Sequence, residues 1–142
     1  MSQITAILTP GMALQLSNGR LDWTADEPTA LGDTDTGPNP YELLLASPAA
    51  CTCITLSYYC QHKGMALELV SATYDFSGVH ADDCMDCDDP QKGFIDKITS
   101  NVQIEGDFDD AQRKRLAEIV ERCPLHKTLA NGVVFSDNAT FS

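Results

Sequence analysis

The sequence predicts an α+β fold built around antiparallel sheet, and three observations carry that expectation. Alternating apolar positions flank an Asn-Gly pair near the start, which is a hairpin signature. Strand patterns and helix patterns come in groups rather than as repeated β-α-β units. A stretch from Leu43 to Cys60 contains no charged residue and reads as a helix buried at the centre of the fold. With 142 residues the chain is the size of one domain, so residues 1–142 are expected to fold as one.

Ile4–Leu8 is a short apolar run and the first strand candidate. Met12–Ser17 and Arg20–Trp23 follow, joined through Asn18-Gly19. Leu14 and Leu16, like Leu21 and Trp23, alternate with polar neighbours, so each strand has one face to bury. Asn-Gly readily takes the two positive φ values of a type I′ turn. Residues 25–38 carry Pro, Gly, Asp and Thr and read as a loop.

Asn39-Pro40 then opens a helix, with Asn at the cap and Pro at the first helical position. Pro48 lacks a backbone donor and clashes with the carbonyl four residues back. A kink or break is therefore expected there, followed by a second helix over 49–63 and a C-cap at Gly64. Leu67–Phe76 and Phe94–Ile104 are strand candidates. Asp109 and Gln112 have capping-box spacing and begin a helix. Its apolar positions Leu116, Ile119, Val120 and Cys123 form one stripe, and Pro124 is expected to end it. Val133–Phe135 and Ala139–Phe141 look like closing strand pieces.

Charge narrows the class of partner. Nine Lys and Arg stand against 21 Asp and Glu, a net charge of −12. Nucleic-acid backbones and anionic membranes both need a basic face, so neither is an expected partner. Leu43–Cys60 is long enough to suggest a membrane span. Pro48 interrupts it, however, and Ser47, Thr52, Thr55 and Ser57 dilute it, which favours a buried helix. Met1–Pro10 has neither a basic region nor a long apolar core of the signal-peptide kind, so a cytoplasmic location and reduced thiols are expected.

Six cysteines then need sorting. Cys51 lies three residues after Pro48, so a helix starting there places it in the first turn, where free N–H groups and the helix dipole stabilise a thiolate. Equally, it is a small apolar residue in an Ala-Ala-Cys run. Cys123 either completes the helical stripe as core or meets a second thiol; sequence separation does not decide between these. Cys53 and Cys60 lie about 200° and 180° round a helix from Cys51 and read as packing residues. Cys84-Met85-Asp86-Cys87 has the spacing of metal sites and redox dithiols, with His80 as a third candidate ligand. Asp82, Asp83, Asp86, Asp88 and Asp89 surround it, disfavouring a thiolate and mildly favouring a divalent cation such as zinc. The alternative is a solvated acidic loop with two incidental thiols.

The sequence resembles the family of osmotically induced protein C and organic hydroperoxide resistance protein, the OsmC/Ohr family. The resemblance rests on Asp35–Ser47, on Ala49-Ala50-Cys51-Thr52 and on Glu121–Leu129 with its Cys123-Pro124 pair. It implies an intertwined α+β homodimer with central helices between antiparallel sheets and a site at the dimer interface. It also implies a peroxidase that needs no cofactor. Cys51 would attack an organic hydroperoxide, and Cys123 would resolve the sulfenic acid to a disulfide. A dithiol, such as a lipoylated protein, would be the reductant. An Arg and a Glu hold the thiolate in that family. The family's Glu position is Tyr41 here, so Glu42 takes the role by proximity, and Arg20 is the one Arg before Cys51. The Cys84–Cys87 loop lengthens the interval between the two cysteine motifs and resembles an OsmC-like branch apart from the better-understood peroxidases. Two other functions stay open at this point. One is a non-catalytic, small-ligand-binding dimer of the same fold. The other is a metal or redox sensor working through Cys84 and Cys87.

Overall fold

A computed structural model of the chain describes residues 2–11, 13–32, 34–79 and 95–142. Two compact units are distinguished, residues 1–46 and 47–142.

The first unit holds a three-stranded antiparallel meander: β1 (Thr5–Leu8), β2 (Leu14–Ser17) and β3 (Asp22–Ala25). Ala6 pairs with Leu16, and Leu16 pairs in turn with Trp23. The hairpin is as expected, but its turn is not type I′. Ser17 faces Asp22, leaving a four-residue loop, and only Gly19 takes positive φ, at 90°. Asn18 instead uses its side chain. Its Oδ1 accepts from the N–H groups of Arg20 and Leu21, at 2.9 and 2.8 Å. An Asx turn thus replaces the backbone geometry that Asn-Gly alone suggests.

After β3 the loop is organised by Asp26, which is 2% exposed. Its carboxylate accepts from the hydroxyl of Thr34, from both the hydroxyl and the N–H of Thr36, and from the N–H of Glu27. Those donors satisfy a buried charge that would otherwise be costly. Led by the Thr34 hydroxyl, they outweigh burial and hold the carboxyl far below the usual carboxylate range. Gly37 fits here because a Cβ would run into the carbonyl of Thr24.

Helix α1 (Pro40–Lys63) begins in this first unit. Asn39 and Glu42 cap it reciprocally. Glu42 N–H donates to Asn39 Oδ1 at 2.9 Å, and Asn39 N–H reaches Glu42 Oε1 at 3.5 Å. No break occurs at Pro48: α1 is one helix of 24 residues. Proline costs one ladder bond, but the uninterrupted turns on both sides remain, and its ring is buried at the head of a stripe continued by Thr52, Leu56 and Cys60. Gly64 closes the helix at φ 67°.

In the second unit β4 (Leu67–Val79) and β5 (Ile95–Gly106) form a long antiparallel pair. Val70, Ala72, Tyr74 and Phe76 turn to the half-buried face, with Val102 and Ile104 opposite. Helix α2 (Asp110–Val120) starts at the expected capping box, Gln112 N–H donating to Asp109 Oδ1 at 2.8 Å and Asp109 N–H to Gln112 Oε1 at 3.0 Å. Leu56 and Cys60 of α1 join Phe108, Leu116 and Ile119 in the core. That stripe is why α1, long and apolar enough by length and composition to cross a membrane, packs here against protein.

Two expectations about residues 121–142 are overturned. Helix α2 ends at Val120, so Cys123 is not part of its stripe, and Pro124 opens helix α3 (Pro124–Asn131) instead of ending α2. Proline suits a first helical position, since its missing N–H is unneeded there. Residues 133–142 form no strand. Val134 and Phe141 are 95% and 96% exposed, because β-prone residues need a strand edge to pair with and none meets them within the described residues.

Candidate active site

Cys51 and Cys123 come together, Cys51 from the middle of α1 and Cys123 from the N-cap of α3. The two thiols stand close enough to shift each other's ionisation, and both cysteines are free. Cys123 is fully buried, whereas Cys51 is half-buried and opens onto a groove of about 520 Å³. Ala50, Ile54, Tyr58, Pro124 and Leu125 make that groove mainly apolar. Ile54 and Tyr58 on its wall are 52% and 69% exposed.

The electrostatics are the reverse of the expectation for Cys51. Since α1 starts eleven residues before it, at Pro40, Cys51 does not lie in the first turn of its own helix. Burial pushes its thiol up, and the hydrogen bond and negative charge of Cys123 push it further; the Leu125 N–H and the Thr55 hydroxyl, 4.0 Å away, only partly offset this. The helix N-terminus belongs to Cys123. Burial raises that thiol too, but the Cys51 thiol, the N–H groups of His126 and Leu125 and the Thr52 hydroxyl more than reverse the effect and set it below the ordinary value. The two shifts run in opposite directions and favour the first negative charge on the buried sulfur. A proton passing from Cys51 to Cys123 transfers the charge to the sulfur that faces the groove.

Glu42 and Arg20 have local partners in the first unit. Glu42 is engaged in the α1 cap, and Arg20 is an exposed residue of the β2–β3 turn whose N–H binds Asn18. Cys60 is core, and burial raises its thiol. His80, Cys84 and Cys87, the candidate zinc ligands, lie outside the described residues. Sequence reasoning missed Thr52 and Tyr74. Thr52 is 1% exposed, and its Oγ1 lies 2.6 Å from Tyr74 Oη. The usable signal was position. Thr52 stands four residues from both Pro48 and Leu56 on the buried stripe, and Tyr74 falls on the inward face of β4.

A sequence model of the OsmC family, described as OsmC-like protein, matches residues 32–136. Comparison with curated proteins gives no match. Among solved structures, an OsmC-like protein from Mycoplasma pneumoniae superposes with a TM-score of 0.71 at 22% identity, covering 92% of this chain and 87% of its own. An organic hydroperoxide resistance protein from Legionella pneumophila gives 0.62 at 23%, with 89% and 87% covered. The organic hydroperoxide resistance protein OhrB of Bacillus subtilis gives 0.57 at 23%, with 89% and 88% covered. At these identities the structures establish a common fold. The matched region holds both cysteine motifs and most of the chain, and the protein belongs to the OsmC-like family.

Proposed function

We propose that the protein is a thiol peroxidase for organic hydroperoxides, with Cys51 as the attacking and Cys123 as the resolving cysteine. One observation carries the reading: a half-buried thiol in an apolar groove stands beside a second, fully buried thiol whose ionisation it shifts. Family membership and the names of the similar Legionella and Bacillus proteins support it.

The proposed steps are these. The Cys51 proton moves to the Cys123 sulfur, leaving a thiolate at the groove. That thiolate attacks the terminal oxygen of ROOH, the O–O bond breaks, and RO⁻ leaves to take up a proton as the alcohol. Cys51 becomes a sulfenic acid. Cys123, deprotonated again, attacks the Cys51 sulfur and expels hydroxide, which becomes water. The sum is ROOH plus two thiols giving ROH, water and one disulfide. A dithiol, such as a lipoylated protein, then restores both thiols by exchange. Apolar walls reward an R group with buried surface at about 25 cal/mol per Å², which hydrogen peroxide cannot claim. With dithiothreitol as reductant, cumene hydroperoxide should be consumed at least about tenfold faster than hydrogen peroxide at equal concentration. Equal rates, or none, would contradict the proposal.

The proposal includes a cytoplasmic homodimer. Segment 133–142 leaves Val134, Phe135 and Phe141 exposed, and Ile54 and Tyr58 add apolar surface at the groove. Sedimentation equilibrium at micromolar concentration should give twice the 15.4 kDa chain mass. A 15.4 kDa species alone would exclude the dimer.

A further inference from the structure

The proposed cycle, on which this inference rests, creates a problem at Cys123. When Cys51 attacks as a thiolate, its proton resides on the Cys123 sulfur. Cys123 must lose it before it can displace hydroxide from the sulfenic acid. Yet Cys123 is fully buried, so water has no direct access to that sulfur.

A hydroxyl chain leads away from it. The Thr52 hydroxyl is among the groups that lower the Cys123 thiol, and its oxygen lies 2.6 Å from Tyr74 Oη. Thr52 is 1% exposed and stands in mid-helix, where a threonine hydroxyl ordinarily bonds the carbonyl of the preceding turn. Here it pairs with a phenol and lowers the neighbouring Cys123 thiol. Tyr74 in turn lines a second cavity, of about 230 Å³, together with Asp96, Ser100 and His126. This cavity is separate from the Cys51 groove, and the two share no lining residue.

We infer that Thr52 and Tyr74 form a proton path that ionises the buried Cys123 for the resolving step and delivers its proton to the cavity lined by Asp96 and His126. A hydroxyl has one proton to give and two lone pairs to receive with, so the chain has two polarities. With Cys123 as a thiol, S–H donates to Thr52, and Thr52 donates to Tyr74. With Cys123 as a thiolate, which only accepts, Thr52 donates to sulfur and Tyr74 donates to Thr52. The first arrangement becomes the second when the S–H bond breaks, each oxygen takes one proton and passes on another, and one proton leaves Tyr74 for the cavity. Charge and atoms balance, and no bond other than O–H and S–H changes. The titratable groups about the chain are Cys51 on α1, Tyr74 on β4, Asp96 on β5 and His126 on α3. Asp96 and His126 are placed to receive the proton. Thr52 and Tyr74 act through Cys123 and are positioning residues.

The test has two readouts. In a Cys51→Ser background, thiolate absorbance near 240 nm reports the ionisation of Cys123 without any peroxide chemistry. Thr52→Val should raise the Cys123 midpoint by about one pH unit, the effect of losing one hydrogen bond to a charged group. Tyr74→Phe should move it the same way by less, and Thr52→Ser should restore it. With Cys51 intact, single-turnover mass spectrometry after cumene hydroperoxide reads the conversion of sulfenic acid to disulfide. Thr52→Val should slow that conversion about tenfold at neutral pH, with the deficit closing at high pH as the thiolate forms without help. An unshifted midpoint in Thr52→Val would overturn the path. So would a slowing that is independent of pH and not restored by Thr52→Ser, which would mark Thr52 as packing alone. If no hydroperoxide reacts, the proposed activity fails, and the absorbance titration still decides whether the chain governs Cys123.

Discussion

Replacing Cys51 by serine is expected to lower hydroperoxide turnover by on the order of a thousandfold or more, the scale of removing a nucleophile. The expectation comes from placement. Of the two paired thiols, Cys51 alone opens onto a groove, while Cys123 is sealed. A serine hydroxyl neither attacks O–O bonds nor forms a disulfide, so no residual route passes through this position. The fold should survive, because Cys51 is half-buried and a hydroxyl still finds partners in Cys123 and Thr55. Circular dichroism beside ferrous-oxidation assays of residual peroxide makes the comparison. A folded Cys51→Ser protein with undiminished turnover would remove Cys51 from the chemistry.

Cys123→Ser should separate the two halves of the cycle. The attack by Cys51 remains available, but the sulfur that would displace hydroxide is gone. One equivalent of cumene hydroperoxide should leave Cys51 as a sulfenic acid, trapped by dimedone. Excess peroxide should carry it to the sulfinic acid, which a dithiol does not reverse. Steady-state turnover with dithiothreitol should fall severalfold or more, because protection by a fast intramolecular step is lost. The serine hydroxyl can use the Leu125 and His126 N–H groups that now face sulfur, so the variant should fold. If Cys123→Ser still yields an intramolecular disulfide at Cys51, the resolving role belongs to another cysteine.

Local chemistry made much of the fold legible. A short apolar run located β1, alternation located β2 and β3, β4 and β5 fell on the two later strand candidates, and Asp109 with Gln112 announced α2 through a capping box that the structure forms in both directions. Proline was the ambiguous letter. Pro48 read as a break yet sits buried inside α1, and Pro124 read as a stop yet begins α3. The same missing N–H is costly in mid-helix and costless at a helix start, so its meaning depends on packing that only the fold supplies. That ambiguity carried through to the site. With the helix starts misplaced, the thiolate-stabilising N-terminus was assigned to Cys51, whereas the structure puts it at Cys123. The meeting of Cys51 and Cys123 across more than seventy residues was visible only through family resemblance, because no local pattern encodes it. Thr52 and Tyr74 were invisible for a related reason: each looks ordinary on its own element and gains meaning only from the other.

The identity of the disulfide formed by the native protein tests the central claim most directly. Fully reduced protein would be treated with one equivalent of cumene hydroperoxide, quenched with an alkylating agent, digested and mapped by mass spectrometry. The account expects two thiols lost per equivalent and a single new linkage, Cys51 to Cys123. A linkage of Cys84 to Cys87, or of Cys51 to Cys53 or Cys60, or the loss of no thiol at all, would contradict it.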